Sequence, residues 1–461
     1  MKNTSYSFLK LVVLVGFITF GAGCHQQTNN VSQGWDNADK IVKSIVIPVF
    51  RDKDYKVTDF GAKADGKTDA KPAFTKAIDA CNFDGGGRVV VPSGTYFLNG
   101  PLHLKSDVNL YLSEGARLEF STDTNAYLPM VLTKWEGTEL FNYSPFIYAY
   151  QCNNIAITGK GVIDGNGSVT FAPWRLKQDA DQQLIRKMGN DSVPVYKRVF
   201  GPGHYLRPCM IQPFGCKNVL IEGITIYDSP FWIIHPVFCT NVTVRNVAIY
   251  SENTNNDGFD PESTTNALLE NCNFRTGDDG IAIKSGRDAD GWRVGQPTEN
   301  IVVRNCTFRS SLANGLCIGS EMSGGVRNVY IENCKIRNAV VGIIFKSNLD
   351  RGGYIEDIKI RNIVVDSSKN AFLYFRTNYH GYRGGNFPPR IQDISLENIT
   401  CNYVEKMGIS AIGMPASKLK NIRLKDITVN KAGTVKEIQY TEDFTMKNVK
   451  INGELLPEKP E

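Results

Sequence analysis

Apolar residues along much of this chain alternate with polar ones, break step for one residue, and resume on the opposite parity. Eight nine-residue segments carry the pattern: Asn218–Ile226, Asn241–Ile249, Asn266–Phe274, Asn300–Phe308, Asn328–Ile336, Asp357–Val365, Asp393–Cys401 and Asn421–Val429. A strand cannot change the face it turns inward unless its backbone bends between the halves. The residues at the break are Gly223, Asn246, Asn271, Asn305, Asn333, Asn362, Asn398 and Asp426, all of types that tolerate a left-handed backbone. Each unit therefore predicts strand, left-handed corner, strand.

The units recur at spacings within the ~20–50 residues typical of solenoid repeats, with no helix between them. The prediction is an all-β chain folded as a right-handed parallel β-helix, its coils stacked about 4.8 Å apart. The corner asparagines should then form a ladder up one edge. Cys272, Cys306 and Cys334 share the first inward position after the corner with Ile224, Val247 and Ile363. That position predicts stacked core thiols rather than disulfides. Ahead of the repeats, Pro72–Cys81 has helical periodicity, with Phe74, Ala77, Ile78 and Cys81 on one face. A short N-terminal helix of this kind suits a cap over the open end of the solenoid.

Composition refines the picture only at the edges. Of 461 residues, 42% are hydrophobic and 21% charged, with a formal net charge of +5 spread along the chain. This is the balance of a globular protein, without the clustered basic footprint that nucleic acid requires. Lys2 and Lys10 precede an apolar run from Leu11 to Phe20 that ends in Gly21–Ala22–Gly23–Cys24. The run is short of the ~20 residues needed to span a bilayer, and it reads as a secretory leader. The small residues before Cys24 predict a lipoprotein signal over 1–23, with Cys24 lipidated. Residues 24–50 then read as a tether, 51–455 as a single catalytic β-helix with loop insertions, and 456–461 as a tail. The expected product is an exported monomer, held to the cell envelope at the periplasmic or outer surface only through its lipid.

A second set of segments aligns one strand further along the coils: Asp257–Ser263, Asp279–Ser285, Asn314–Ser320 and Val341–Ser347. Phe259, Ile281, Ile283, Leu316, Ile318, Ile343 and Phe345 point inward, so Asp260, Glu262, Lys284 and Lys346 point outward. The segment Pro230–His235 places His235 in the column of Glu262, Lys284 and Lys346. Asp257 and Asp279 share a column at the strand start, and Asp278 precedes it. Three carboxyls on adjacent rungs cannot all ionise freely, so a protonated acid beside a carboxylate base is expected. That pair is what hydrolysis of a glycoside uses. The residues alone leave calcium binding and plain Asp–Gly turns open as well.

These motifs resemble glycoside hydrolase family 28, the polygalacturonase family, over roughly residues 55–450. The matching features are Asp59–Ala62, Asn255–Gly258, Gly277–Asp279, Ser229–Trp232 with His235, and Ile318–Gly325. The resemblance implies Asp278 as general acid, with Asp257 and Asp279 holding and activating the water. It also implies inversion, for which the acid and base stand about 6.5–9.5 Å apart. Asn255, His235, Lys284, Asn314, Lys346 and Tyr379 are the candidate substrate contacts. Lys284 also reads as an ion-pair partner of the acids, His235 as a structural histidine. No cofactor and no resident metal is expected.

Two departures bear on the substrate. Asn314 stands where the family has a histidine, and Ile344 where it has an arginine for a substrate carboxylate. Ile cannot supply the bidentate contact of a guanidinium. Pectic galacturonosyl linkages remain the first expectation, with rhamnogalacturonan or another glycoside as the alternative. A calcium-dependent eliminase using Lys284 or Lys346 as base, and a solenoid that binds glycan without cleaving it, are the other readings. Residues 124–150, 168–208 and 287–299 interrupt the repeat. Solenoid insertions gather on the binding face, and the resemblance implies that such insertions close one end of the groove and make the action exo.

Overall fold

A computed structural model describes residues 31–310 and 312–460. The alternating segments form parallel strands that pair from coil to coil. Thr265–Glu270 lies between Thr240–Arg245 and Thr298–Arg304, and Asn273–Thr276 pairs with Ala248–Ser251 on one side and Thr307–Ser310 on the other. A third ladder carries Ile281–Ile283, Asn314–Ile318 and Ala339–Lys346. The result is a parallel β-helix whose inward positions join one continuous apolar core.

The predicted corners all have positive φ, from 53° at Asn398 and Asp426 to 79° at Gly223. A second column does too: Asn218, Asn241, Asn266, Asn300 and Asn328, the first residue of each repeat, lie at φ 53–59°. The amide ladder is longest here rather than at the predicted corner. Asn218, Asn241, Asn266, Asn300 and Asn328 each donate from Nδ2 to the Oδ1 of the preceding rung, at 2.9–3.4 Å. At the predicted corner a side-chain ladder joins Asn333, Asn362 and Asn398. The ten cysteines after Cys24 are all buried free thiols.

The chain before the first coil is more ordered than a tether. Helix α1, Val31–Ser44, lies on the outside of the solenoid, where Trp35, Ala38, Ile41 and the following Ile45 cover Leu268, Val302 and Tyr330. Arg361 stacks over Trp35 at 3.9 Å, and Asn37 donates to the Tyr330 hydroxyl at 2.9 Å. Helix α2, Lys71–Phe83, buries Ala73, Phe74, Ala77, Ile78 and Cys81 against the first coils, as a cap should. The leader and Cys24 lie outside the described residues. Among the described residues no helix is long and apolar enough to cross a membrane.

The three interruptions of the repeat converge. A hairpin, Val131–Trp135 with Thr138–Asn142, is extended by Val199–Phe200 into a small separate sheet. Helix α3, Asp179–Asn190, packs beside it around Trp135, Leu140, Ile185 and Phe200, and this cluster reaches the solenoid at Phe231 and Trp232. Helix α4, Asp288–Val294, is tied in by a buried ion pair, Arg198 to Asp290 at 2.8 Å. Together they form a wall standing on the third ladder.

Candidate active site

The acids sit where two rungs of the third ladder begin. Their flanking glycines are there for close approach rather than for a turn. A Cβ on Gly258 would lie 2.5 Å from the Gly280 carbonyl oxygen, and one on Gly280 would lie 2.7 Å from that of Gly315. Glycine in this column lets the acid-bearing rungs stack. Asp257, Asp278 and Asp279 consequently each bring a carboxylate oxygen within 4.8 Å of the others. These nearest oxygens stand closer than the wide spacing expected for inversion, because all three acids start from neighbouring rungs and turn toward one point.

Their surroundings separate them. Burial pushes Asp278 well above the usual carboxylate range, and the charges of Asp257 and Asp279 push the same way. Its Oδ2 accepts from Asn255 Nδ2 at 3.3 Å, and Arg207 in turn donates to Asn255 Oδ1 at 2.6 Å. Burial acts on Asp279 too, but Lys346, Lys284 and the Asn314 amide outweigh it and hold that carboxyl below the usual range. Lys346 Nζ donates to Asp279 Oδ2 at 2.7 Å, while Asn314 donates to Oδ1 from its side chain at 2.5 Å and its backbone at 3.1 Å. Asp257 is raised by burial and by Asp260 beside it. Asp260 itself is pushed up to about 8, chiefly by burial.

Lys284 lies 3.4 Å from Asp257, 3.5 Å from Asp260 and 3.4 Å from Glu321, with Trp232 4.3 Å beneath its ammonium. It is an ion-pair hub that also faces the pocket. Two ammonium groups, Lys284 and Lys346, thus lie against the acid cluster.

His235 is not a pocket residue. Ile234 pairs with Phe259 and Val237 with Glu262, so Pro236 stands opposite Pro261 and His235 opposite Asp260. The expected column was two positions out. His235 is fully buried beneath the wall, where its Nε2 donates to Glu262 Oε2 at 2.9 Å and its Nδ1 accepts from Gln212 Nε2 at 2.9 Å. Lys134 of the hairpin also meets Glu262, at 2.9 Å with both side chains inaccessible, and holds that carboxyl down at about 2 against the effect of burial. The Lys134–Glu262–His235 group therefore fastens the wall to the solenoid. Asn314 touches Asp279 under the surface rather than lining the pocket. Tyr379 does line it, with Lys346 5.3 Å from its ring and the His380 ring 3.9 Å away.

Ile344 lies with Ala282, Cys317 and Ala371 in a small buried apolar strip. The cations come from elsewhere. Arg175, Arg186, Arg287 and Arg351 line the pocket with Lys284 and Lys346, facing five carboxyls. Arg287 donates to the Glu136 carbonyl at 2.9 Å and pairs with Glu321, while Arg186 Nη2 meets Glu136 at 2.6 Å. Glu136 belongs to the hairpin turn, and Arg287 and Glu321 to later coils, so this network arches across the groove. Sequence reasoning missed these groups. Glu321 lay inside a quoted motif without a role, and the arginines sit in stretches that have no repeat to align.

The sequence profile described as Glycosyl hydrolases family 28 matches residues 81–451. The chain belongs to this family. As a family 28 protein it is a glycoside hydrolase. It is 38% identical to the solved exopolygalacturonase of Thermotoga maritima, with a TM-score of 0.89 over 92% of this chain and 97% of that one. It is 28% identical over 403 residues to a probable polygalacturonase of Vitis vinifera, covering 84% of this chain and 76% of the relative. It is also 28% identical over 435 residues to an exo-poly-alpha-D-galacturonosidase of Dickeya chrysanthemi, covering 86% and 67%.

Proposed function

We propose that this family 28 enzyme removes galacturonosyl units from the ends of pectic chains, with inversion. The observation that carries the reading is the unequal pair Asp278 and Asp279, one pushed above the usual carboxylate range and one held below it, in a pocket where cations outnumber carboxyls. Asp278 gives its proton to the leaving glycosidic oxygen. Asp279 takes a proton from the attacking water, and Asp257 holds that water beside it. Arg186, Arg287 and Lys284 stand where a uronate carboxylate needs a counter-charge, in place of the arginine that Ile344 displaces. The arch of Glu136, Arg186, Arg287 and Glu321 supports exo action by closing one side of the groove. The Thermotoga and Dickeya relatives, both named as exo-acting, agree with it.

Both candidate lysine bases of an eliminase are committed to carboxylates, with burial opposed and outweighed by Asp257 at Lys284 and by Asp279 at Lys346, so that both are pushed upward. The test is digestion of homogalacturonan and rhamnogalacturonan by purified protein, with product length and anomer read by NMR. Monomer of anomeric form opposite to the cleaved linkage supports the proposal. Random oligomers would overturn exo action, retained configuration would overturn inversion, and an unsaturated product would establish elimination. Export with lipid attachment at Cys24 is part of the same reading, and Cys24→Ala should release the protein from the membrane fraction.

A further inference from the structure

The solenoid carries two outward charge columns that are built differently. Along the first ladder, Glu222, Arg245, Glu270, Arg304, Glu332 and Arg361 follow one another in register, so sign alternates from rung to rung. Each arginine pairs with the glutamate before it, at 2.6–2.9 Å. The second ladder breaks this rule. There Tyr227, Tyr250, Arg275, Arg309 and Arg337 stand in register, three guanidinium groups in succession after two tyrosines. Like charges directly opposite one another destabilise a sheet, and the neighbouring column shows that this fold can avoid them.

The row is accessible. Arg275 and Arg337 side chains are 46% and 55% exposed; the first meets Glu252 at 2.5 Å and the second lies 3.7 Å from Asp366. Arg309 is exposed, and among the described residues no carboxylate lies within ion-pair distance of it. It also lines a groove with Lys369, Tyr403 and a single carboxylate, Glu405. Tyr227 and Tyr250 stack at 5.3 Å, presenting aromatic surface in line with the arginines. Arg275 lies three residues before Asp278, so row and acids share a coil.

We propose that Tyr227, Tyr250, Arg275, Arg309 and Arg337 form a second binding track, outside the catalytic pocket, for a linear acidic polysaccharide. The proposal rests on the galacturonan reading for the identity of that polymer. Sugar rings lie on the tyrosines, and uronate carboxylates meet successive guanidiniums on rungs about 4.8 Å apart, close to the length of one pyranose unit. Surface pairs such as Arg275–Glu252 are weak enough to yield to the polymer.

The test is native electrophoresis of the full chain in gels with polygalacturonate or a neutral galactan, beside hydrolysis of polygalacturonate and of the galacturonate disaccharide. Wild type should be retarded by polygalacturonate alone. Arg309→Glu should lose most of that retardation and raise the polymer KM about fivefold, with disaccharide turnover unchanged. Arg309→Ala, with melting followed by circular dichroism, should give the same effect in smaller measure. Unchanged retardation in both variants would overturn the track, as would equal losses on polymer and disaccharide. A retarded wild type that hydrolyses no galacturonan would support the track and overturn the proposed substrate. A wild type that hydrolyses the polymer without being retarded would overturn the track alone.

Discussion

The floor and the wall of the pocket are made by opposite routes. The floor is the third ladder, where one backbone geometry repeats and each rung differs only in which side chain it sends outward. Its three acids are placed by register. The wall is gathered from stretches with no common pattern, held by a satellite apolar cluster and by buried ion pairs such as Lys134–Glu262 and Arg198–Asp290. The floor supplies the three acids together with Lys284 and Lys346, and the wall adds Arg175, Arg186 and the closure. Chemistry and selectivity can thus change independently in such a protein.

That division can be broken from either side. The largest effect should come from the floor: Asp278→Asn removes the proposed general acid and should lower kcat about 10²–10⁴-fold, with KM nearly unchanged, in assays on galacturonate oligomers. Next is the wall's fastening. Glu262→Gln leaves Lys134 buried without its charge partner and should cost about 3–5 kcal/mol, read from urea unfolding. If the wall alone loosens, short oligomers should then appear among the products.

Third, Arg186→Ala should raise KM for uronate substrates about tenfold with a smaller change in kcat, the loss of one charged hydrogen bond. The smallest effect sharpens the floor again. The proposed roles need Asp279 ionised and Asp278 protonated, so the acid limb of the pH profile should follow Asp279 and the alkaline limb Asp278. Lys346→Met removes a cation that favours the Asp279 carboxylate. The acid limb should therefore move to higher pH, by about one unit, while the alkaline limb moves less.

The same division explains what could be read from the sequence. Alternation, corner residues and the Gly-flanked acids are local and periodic, so the solenoid and the places of Asp257, Asp278 and Asp279 followed from them. His235 fell out of register because the facing prolines, Pro236 and Pro261, are the true landmark of that rung. The amide ladder sits on the first residue of each repeat, where the change of parity gives no hint. The contact between Arg287 and Glu136 joins positions 151 residues apart, and nothing periodic connects them. Helix α1 is a different case: Trp35, Ala38, Ile41 and Ile45 recur at helical spacing, a signal obscured by the polar surroundings of a segment expected to be linker.

Helix α1 also changes how the molecule should come apart. A bare solenoid is close to one-dimensional, each coil answering only to its neighbours, and it can fray from an end. Here the residues that precede the first coil are clasped to Leu268, Val302 and Tyr330 in the middle of the stack. The N-terminal coils are thereby enclosed in a loop whose two ends are both held, and ring closure rather than stacking alone governs their release.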